Sequence, residues 1–404
     1  MNLLFVSQNF PYPPYRDGAY LKAYNLIRYL AEYNNIFLIT FCNPGDENYI
    51  DKIASFCVQI VTVPHINPNS NKWSRFKKLI HDVANPKRFD SPRMRHEITS
   101  GVRAWKPDLV HIDLPMMSQY WSAVDNLPRV IASHDVISLY AYKNYKAGKS
   151  LFSKAMWYWL YKQRTWIETH FYPNYNVCTV VSEEDKELLE KHCPFLPIEV
   201  IPNGVDIEYF SPEKIEQDNV NGRFSIGLFG GMDFKPNVDA ALHFTLKIYP
   251  LIRNEVPDVE FYIVGRKPPK SVLSLRKKEG VIVTNEVADM REYYEKTSVV
   301  VSPMRLGSGI KNTVLQAMSM AKPIVATPQA ARAIAAENDV HLMIAERPLE
   351  FARKVICLLK NRPMREKLGK NARNLVVSKY SWKSHAEAFQ KLYENILNGS
   401  NRSN

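Results

Sequence analysis

The sequence predicts an α/β protein of two domains, each a parallel sheet covered by helices on both faces. Short apolar runs alternate with longer amphipathic ones through most of the chain, which is the pattern of strand–helix–strand units. That rhythm runs once to about Asn203 and restarts at Phe224. Between the two runs lies PNGVDIEYFSPEKIEQDNVNGR, a polar segment with Pro, Asn and Gly that suits a linker.

In the first half, NLLFVSQ leads through a Pro-rich turn into GAYLKAYNLIRYLAEY, where Leu21, Tyr24, Ile27 and Leu30 recur near helical spacing. IFLITF, VQIVTVP, DLVHIDL, RVIASHD, VCTVVS and IEVIPN are the further strands of a Rossmann-like domain. The second half offers FSIGLFGGM, a helix from about Asn237, VEFYIVG, VIVTNEV, SVVVSPM, a glycine loop with its helix, and PIVATP. A final helix follows YSW, with Ala386, Phe389, Leu392, Tyr393 and Ile396 on one side. The expected division is residues 1–205, residues 206–380 and a terminal helix at 381–404. Open α/β sheets bind ligands outside the carboxyl ends of their strands. Two such domains facing each other would line a cleft with those ends, so the loops there should carry the chemistry.

Composition narrows the function. A 46% hydrophobic content over 404 residues supports well-buried cores. MNLLFVSQNFPYPPY has neither the basic flank nor the cleavage site of a signal peptide, and no apolar stretch reaches the ~20 residues of a membrane span. Cys42, Cys57, Cys178, Cys193 and Cys357 lack Cys-x-x-Cys spacing, which argues against a disulfide framework or a zinc site and for a reducing cytoplasm. The formal charge of +12 invites an acidic partner. Much of it is local: ten Lys or Arg against three acids between His65 and Lys106.

RLGSGIKNTVLQAM, from Arg305 to Met318, is the sharpest motif. A strand delivers Gly307, Ser308 and Gly309 to the start of a helix, and Lys311 adds a full charge. Close backbone approach, exposed amides and the helix dipole all favour a phosphate. GLFGGMDFKPNVDA repeats this logic with Gly230, Gly231 and Lys235, so two loops on one sheet would converge on a diphosphate. YIVGRKPP adds Gly265 and Arg266, and in the first half a loop ends at Gly18 while IASHDV sets His134 and Asp135 at a strand end. His134 would donate a hydrogen bond to a sugar or face the reacting centre, and Asp135 would cap the next helix. No Asp-x-Asp, phosphate-binding Gly-x-x-x-x-Gly-Lys-Ser/Thr or Gly-x-Ser-x-Gly motif occurs. The expectation is therefore no metal and no separate cofactor, with lysines and amides neutralising the leaving charge.

The ordered set PYRDGAYLKAYNLIRYLA, SHD, VVSEEDKELL, IPNGVDIEYFSP, GGMDFKPNVDA, YIVGRKP, YYEKTSVVVSPMRLGSGIKNTVLQAMSMAKPIVAT and YSW resembles the retaining glycosyltransferases of family 4, which have the GT-B fold. The resemblance runs from about residue 2 to residue 397. It implies metal-independent transfer of a sugar from a nucleotide-diphosphate sugar to a glycan or lipid-linked acceptor, with retained anomeric configuration, in cell-surface polysaccharide or glycolipid synthesis. It also implies a terminal helix that crosses back to the first domain. Carried over, His134, Lys235 and Lys311 are the catalytic candidates. Gly18, Gly231, Arg266, Gly307, Ser308, Gly309, Ile310, Asn312 and Gln316 are the donor-binding ones, with Gly231 where many members carry an arginine. The family often has two glutamates eight positions apart in the glycine loop, for sugar hydroxyls and the ribose diol; here Ser308 and Gln316 stand there. An amide keeps the reach of a carboxylate and loses strength, about 1 kcal/mol. Arg332 and Ala333 also stand where a glutamate and glycine are common. A degenerate GT-B protein that binds nucleotide sugar or glycan without turnover is the alternative these departures motivate.

NKWSRFKKLIHDVANPKR and KSLFSKAMWYWLYKQRTW combine basic and aromatic residues. Each reads as a helix able to lie on an anionic membrane surface or as ordinary core with a solvated face. Peripheral contact with the inner face of the membrane is the expectation. Nucleic acid is not, since no recognition module accompanies the charge.

Overall fold

A computed structural model describes residues 1–14, 18–65, 89–124, 126–148, 150–212, 223–307 and 309–400. Ser308 and the whole of the basic stretch NKWSRFKKLIHDVANPKR lie outside the described residues. The chain divides into one unit of Met1–Pro202 with His385–Asn404 and a second of Asn203–Ser384.

Among its described residues the first unit holds seven strands: β1 (Asn2–Ser7), β2 (Asn35–Cys42), β3 (Gln59–Pro64), β4 (Leu109–Asp113), β5 (Arg129–Ala132), β6 (Val177–Val180) and β7 (Ile198–Val200). They form a parallel sheet in the order β3-β2-β1-β4-β5-β6-β7. Successive side chains on a strand point to opposite faces. Leu4, Val6, Phe37 and Ile39 accordingly enter one core, while Leu3, Phe5, Ile36 and Leu38 enter the other. This second core is finished by Ala386, Phe389 and Tyr393 of the helix Trp382–Ser400, with Leu392 and Ile396 packed against it.

In the second unit β8 (Ser225–Phe229), β9 (Glu260–Val264), β10 (Val281–Val283), β11 (Val299–Ser302), β12 (Ile324–Ala326) and β13 (Met343–Ile344) form another parallel sheet. Its order is β10-β9-β8-β11-β12-β13. The two-residue β13 is too short to leave a periodic signal. The helix expected from about Asn237 already starts at Lys235.

One local expectation is overturned. Asp135 does not cap the helix Ile137–Ala147: Val136 is its N-cap, without a side-chain bond. Buried Glu168 serves that end instead, accepting from the Ser138 amide at 3.0 Å. A side chain from the next helix thus satisfies an orphan donor that a local cap would otherwise take.

Candidate functional site

In the second unit β8 lies between β9 and β11, so the loops after these three strands are neighbours. The Gly230 amide donates to Val264 O at 2.9 Å. A Cβ on Gly265 would fall 1.8 Å from the Gly230 carbonyl oxygen, so only glycine lets these two backbones touch. Gly231 lies beside them, and its carbonyl accepts from Asn237 Nδ2 at 2.9 Å. Arg266 Nε pairs with Asp233 Oδ2 at 3.4 Å, which commits part of its charge to a carboxylate. Lys235 is exposed in the first turn of its helix and makes no ion pair among the described residues.

The loop after β11 turns through Gly307 and Gly309, at φ 101° and 68°, the left-handed region that favours glycine. Gln329 Nε2 donates to the Gly307 carbonyl at 2.5 Å and pins the turn from the element after β12. Lys311 folds back over it: a Cβ on Gly307 would sit 3.1 Å from Lys311 Nζ. The helix Asn312–Ser319 starts immediately afterwards without a side-chain cap, so its dipole and first amides face the same place as the ammonium. Asn312 Oδ1 is buried with no partner among the described residues. Ile310 packs its side chain against the core, leaving only its backbone to the loop.

Gln316 lies one turn into this helix. Burial pushes the Tyr294 phenol well up, so its hydroxyl remains a donor, 3.1 Å from Thr313 O and 3.3 Å from Gln316 Oε1. One proton serves two acceptors, and the amide nitrogen of Gln316 donates to nothing among the described residues.

The first unit brings together the ends of β1, β4 and β5. Asp113 ends β4, fully buried, with Oδ1 2.8 Å from His134 Nε2 and 4.0 Å from His111 Nε2. His134 therefore pairs with Asp113 rather than with its exposed neighbour Asp135. Burial would raise the Asp113 carboxyl, but the His134 imidazole bonded to it and the nearby His111 hold it well below its ordinary range. Burial also lowers His134 and His111. An ionised carboxylate can only accept, so His134 donates through Nε2 and presents Nδ1 as an acceptor. In that tautomer neither ring nitrogen of His134 is left to donate to a further group. Tyr393 of the Trp382–Ser400 helix lies 2.7 Å from His111 Nδ1, at the floor of this cluster.

Lys22 belongs to the same cluster. It is 3% exposed on the helix Gly18–Leu30 and has no ion pair within 4.0 Å among the described residues. Burial pushes its ammonium from 10.5 down to about 8, against the opposing pull of Asp113 and Asp135. Gly18, at the exposed start of that helix, has open space where a Cβ would be. The sequence reading missed Lys22, Asp113 and Gln329. Lys22 had a signal, because it shares a helical stripe with Leu26 and Leu30, where a charge is unusual.

A family profile described as Glycosyltransferase Family 4 matches residues 18–209, and one described as Glycosyl transferases group 1 matches residues 223–361. An uncharacterised glycosyltransferase of Methanocaldococcus jannaschii is 30% identical over 94 residues, 23% of this chain and 24% of that protein. The capsular polysaccharide biosynthesis glycosyltransferase CapM of Staphylococcus aureus is 23% identical over 49% of this chain and 54% of its own. The chain thus spans between about a quarter and about half of the curated relatives it matches. Among solved structures, Anabaena HepE in complex with UDP superposes with a TM-score of 0.67 at 12% identity, over 98% of this chain and 100% of that one. The fold is that of the GT-B glycosyltransferases.

Proposed function

We propose that this chain, which belongs to the family 4, group 1 glycosyltransferases, transfers a sugar from a nucleotide-diphosphate sugar to a glycan or lipid-linked acceptor. The observation that carries this is the pairing of β8 with β11. It sets Lys235 with the Gly230–Gly231 turn beside Lys311 with the Gly307–Gly309 turn, two cationic loops on adjacent strand ends. Two such loops suit two linked phosphates better than one.

The reaction we infer breaks the bond between the anomeric carbon and the diphosphate while the acceptor oxygen bonds to the same face. The leaving diphosphate takes the acceptor's proton, and the anomeric configuration is retained. Lys235, Lys311 and the amides opening Asn312–Ser319 stabilise the charge that develops on the leaving group, the role a metal ion would otherwise fill. His134, fixed by Asp113, accepts a hydrogen bond from a sugar hydroxyl through Nδ1. Ser308 and Gln316 would approach the donor's sugar and ribose. The complex of HepE with UDP makes UDP-sugars the first donors to try, and the name of CapM points to cell-surface polysaccharide as the product class.

The test is a thermal-melt panel with UDP, GDP, ADP, dTDP and CDP, each with magnesium and with EDTA. A ligand at 100 times its dissociation constant adds about 2.7 kcal/mol. A selective shift that survives EDTA, followed by proton NMR of the anomeric centre in the product, supports the reading. No shift with any nucleotide overturns it in favour of a protein that has lost its donor. An inverted product overturns the retaining mechanism alone.

A further inference from the structure

We propose that the exposed aromatic face of the helix Leu151–Phe171, with the lysines around it, docks on an anionic lipid surface. The helix is apolar on two sides. Leu160, Ile167 and Phe171 are buried. Phe152, Ala155, Trp159, Lys162 and Trp166 recur at spacings of three and four, which makes one continuous stripe, and all five are exposed. Phe152 is 77% and Trp159 41% exposed, with Leu151 at 89% beside them. A helix of a water-soluble fold buries one stripe and solvates the other; here the second stripe is aromatic.

The charge selects the occupant. From Ile137 to Phe171 the described basic residues are Lys146, Lys154, Lys162, Arg164 and Lys143, the last paired with Glu184 at 3.1 Å, and the sequence has one acid there, Glu168. Glu168 is fully buried and turned inward, accepting from the Ser138 amide and bonded to His192 Nδ1 at 2.9 Å. The ammonium groups of Lys146 and Lys162 rest over Tyr142 and Tyr158, at 5.4 and 5.6 Å from the ring centroids. Such side chains suit a boundary whose inner side is apolar and whose outer side is negative. A second copy of the same face would instead oppose lysine to lysine. The inference deepens the proposed function only in placing a lipid-linked acceptor within reach; the docking itself is independent of turnover.

The experiment is flotation of the full chain with phosphatidylcholine vesicles, with and without about a third phosphatidylglycerol, at low and high salt. The expected result is at least about tenfold greater recovery with anionic vesicles at low salt. Lys154→Glu and Lys162→Glu should each lower it about fivefold or more, the factor that a basic residue near such a surface contributes. Phe152→Glu with Trp159→Glu should abolish it. Equal recovery on neutral vesicles, or unchanged flotation of the double variant, overturns the proposal. So does a lipid-free dimer that Trp159→Glu dissociates, or binding to an acidic polypeptide in preference to vesicles. An unchanged melting temperature shows that the variants fold. Unchanged sugar transfer to a soluble acceptor without vesicles separates a failure of docking from a failure of the transferase reading.

Discussion

Replacing Lys22 by methionine should stabilise the first unit below pH 8 and remove a pH dependence. Lys22 is 3% exposed, and burial lowers its ammonium from 10.5 to about 8. Between those two values the unfolded chain holds a proton that the folded chain has released. Stability therefore rises with pH across this window, and the full cost of the buried charge is felt below it. The interval of about 2.5 pH units, at 1.36 kcal/mol each, makes that cost about 3 kcal/mol at pH 7. Methionine matches the stem of lysine and adapts to irregular gaps without a charge. Compared with the parent, the variant should gain about 3 kcal/mol at pH 7, and the gap should narrow by about 2 kcal/mol at pH 9.5. Titrating groups that do not feel the Lys22 charge, the buried tyrosines among them, cancel in this difference. Urea unfolding followed by tryptophan fluorescence suits the purpose, because six of the seven tryptophans fall within Met1–Pro202. A variant no more stable at pH 7, or a gap that does not change between pH 7 and 9.5, would refute the reasoning.

Gln316→Glu should tighten the nucleoside diphosphate found in the melt panel about fivefold by titration calorimetry, since a carboxylate accepts a ribose hydroxyl more strongly than an amide. Equal or weaker binding means that Gln316 does not face the ribose and serves Tyr294 instead. Lys311→Ala should weaken a nucleoside diphosphate by about tenfold or more and the corresponding monophosphate much less; equal losses would place the ammonium away from the second phosphate. Gly265→Ala forces a Cβ to 1.8 Å from Gly230 O, so it should cost at least about 2 kcal/mol in a circular-dichroism melt and abolish the nucleotide shift. A normally stable alanine variant would show that the two loops do not lean on one another.

The strands themselves were legible because buried parallel strands are short apolar runs, and NLLFVSQ, DLVHIDL and SVVVSPM need no context to be recognised. The glycine-and-lysine loops after β8 and β11 were legible for a similar reason, since their glycines stand at strand ends in the sequence. What could not be read was any partnership across the chain. Asp113 is distant in sequence from His134, and a nearer carboxylate, Asp135, stood in the obvious place. Nothing local in the sequence marks Gln329 as the residue whose amide holds the Gly307 carbonyl. Whether an apolar helical stripe faces a core or the solvent is likewise a tertiary outcome, and Leu151–Phe171 shows both on one helix.

The first unit is discontinuous, and this sets the order in which the molecule is made. Ala386, Phe389 and Tyr393 complete a core begun by Leu3 and Phe5, so a ribosome must translate the whole of Asn203–Ser384 before that core can close. The usual sequence of N-terminal domain first is then reversed: the unit Asn203–Ser384 is contiguous and can fold as it emerges. The first half waits, with one face of its sheet unsealed, until Tyr393 reaches His111. During that interval it would be the half that chaperones engage.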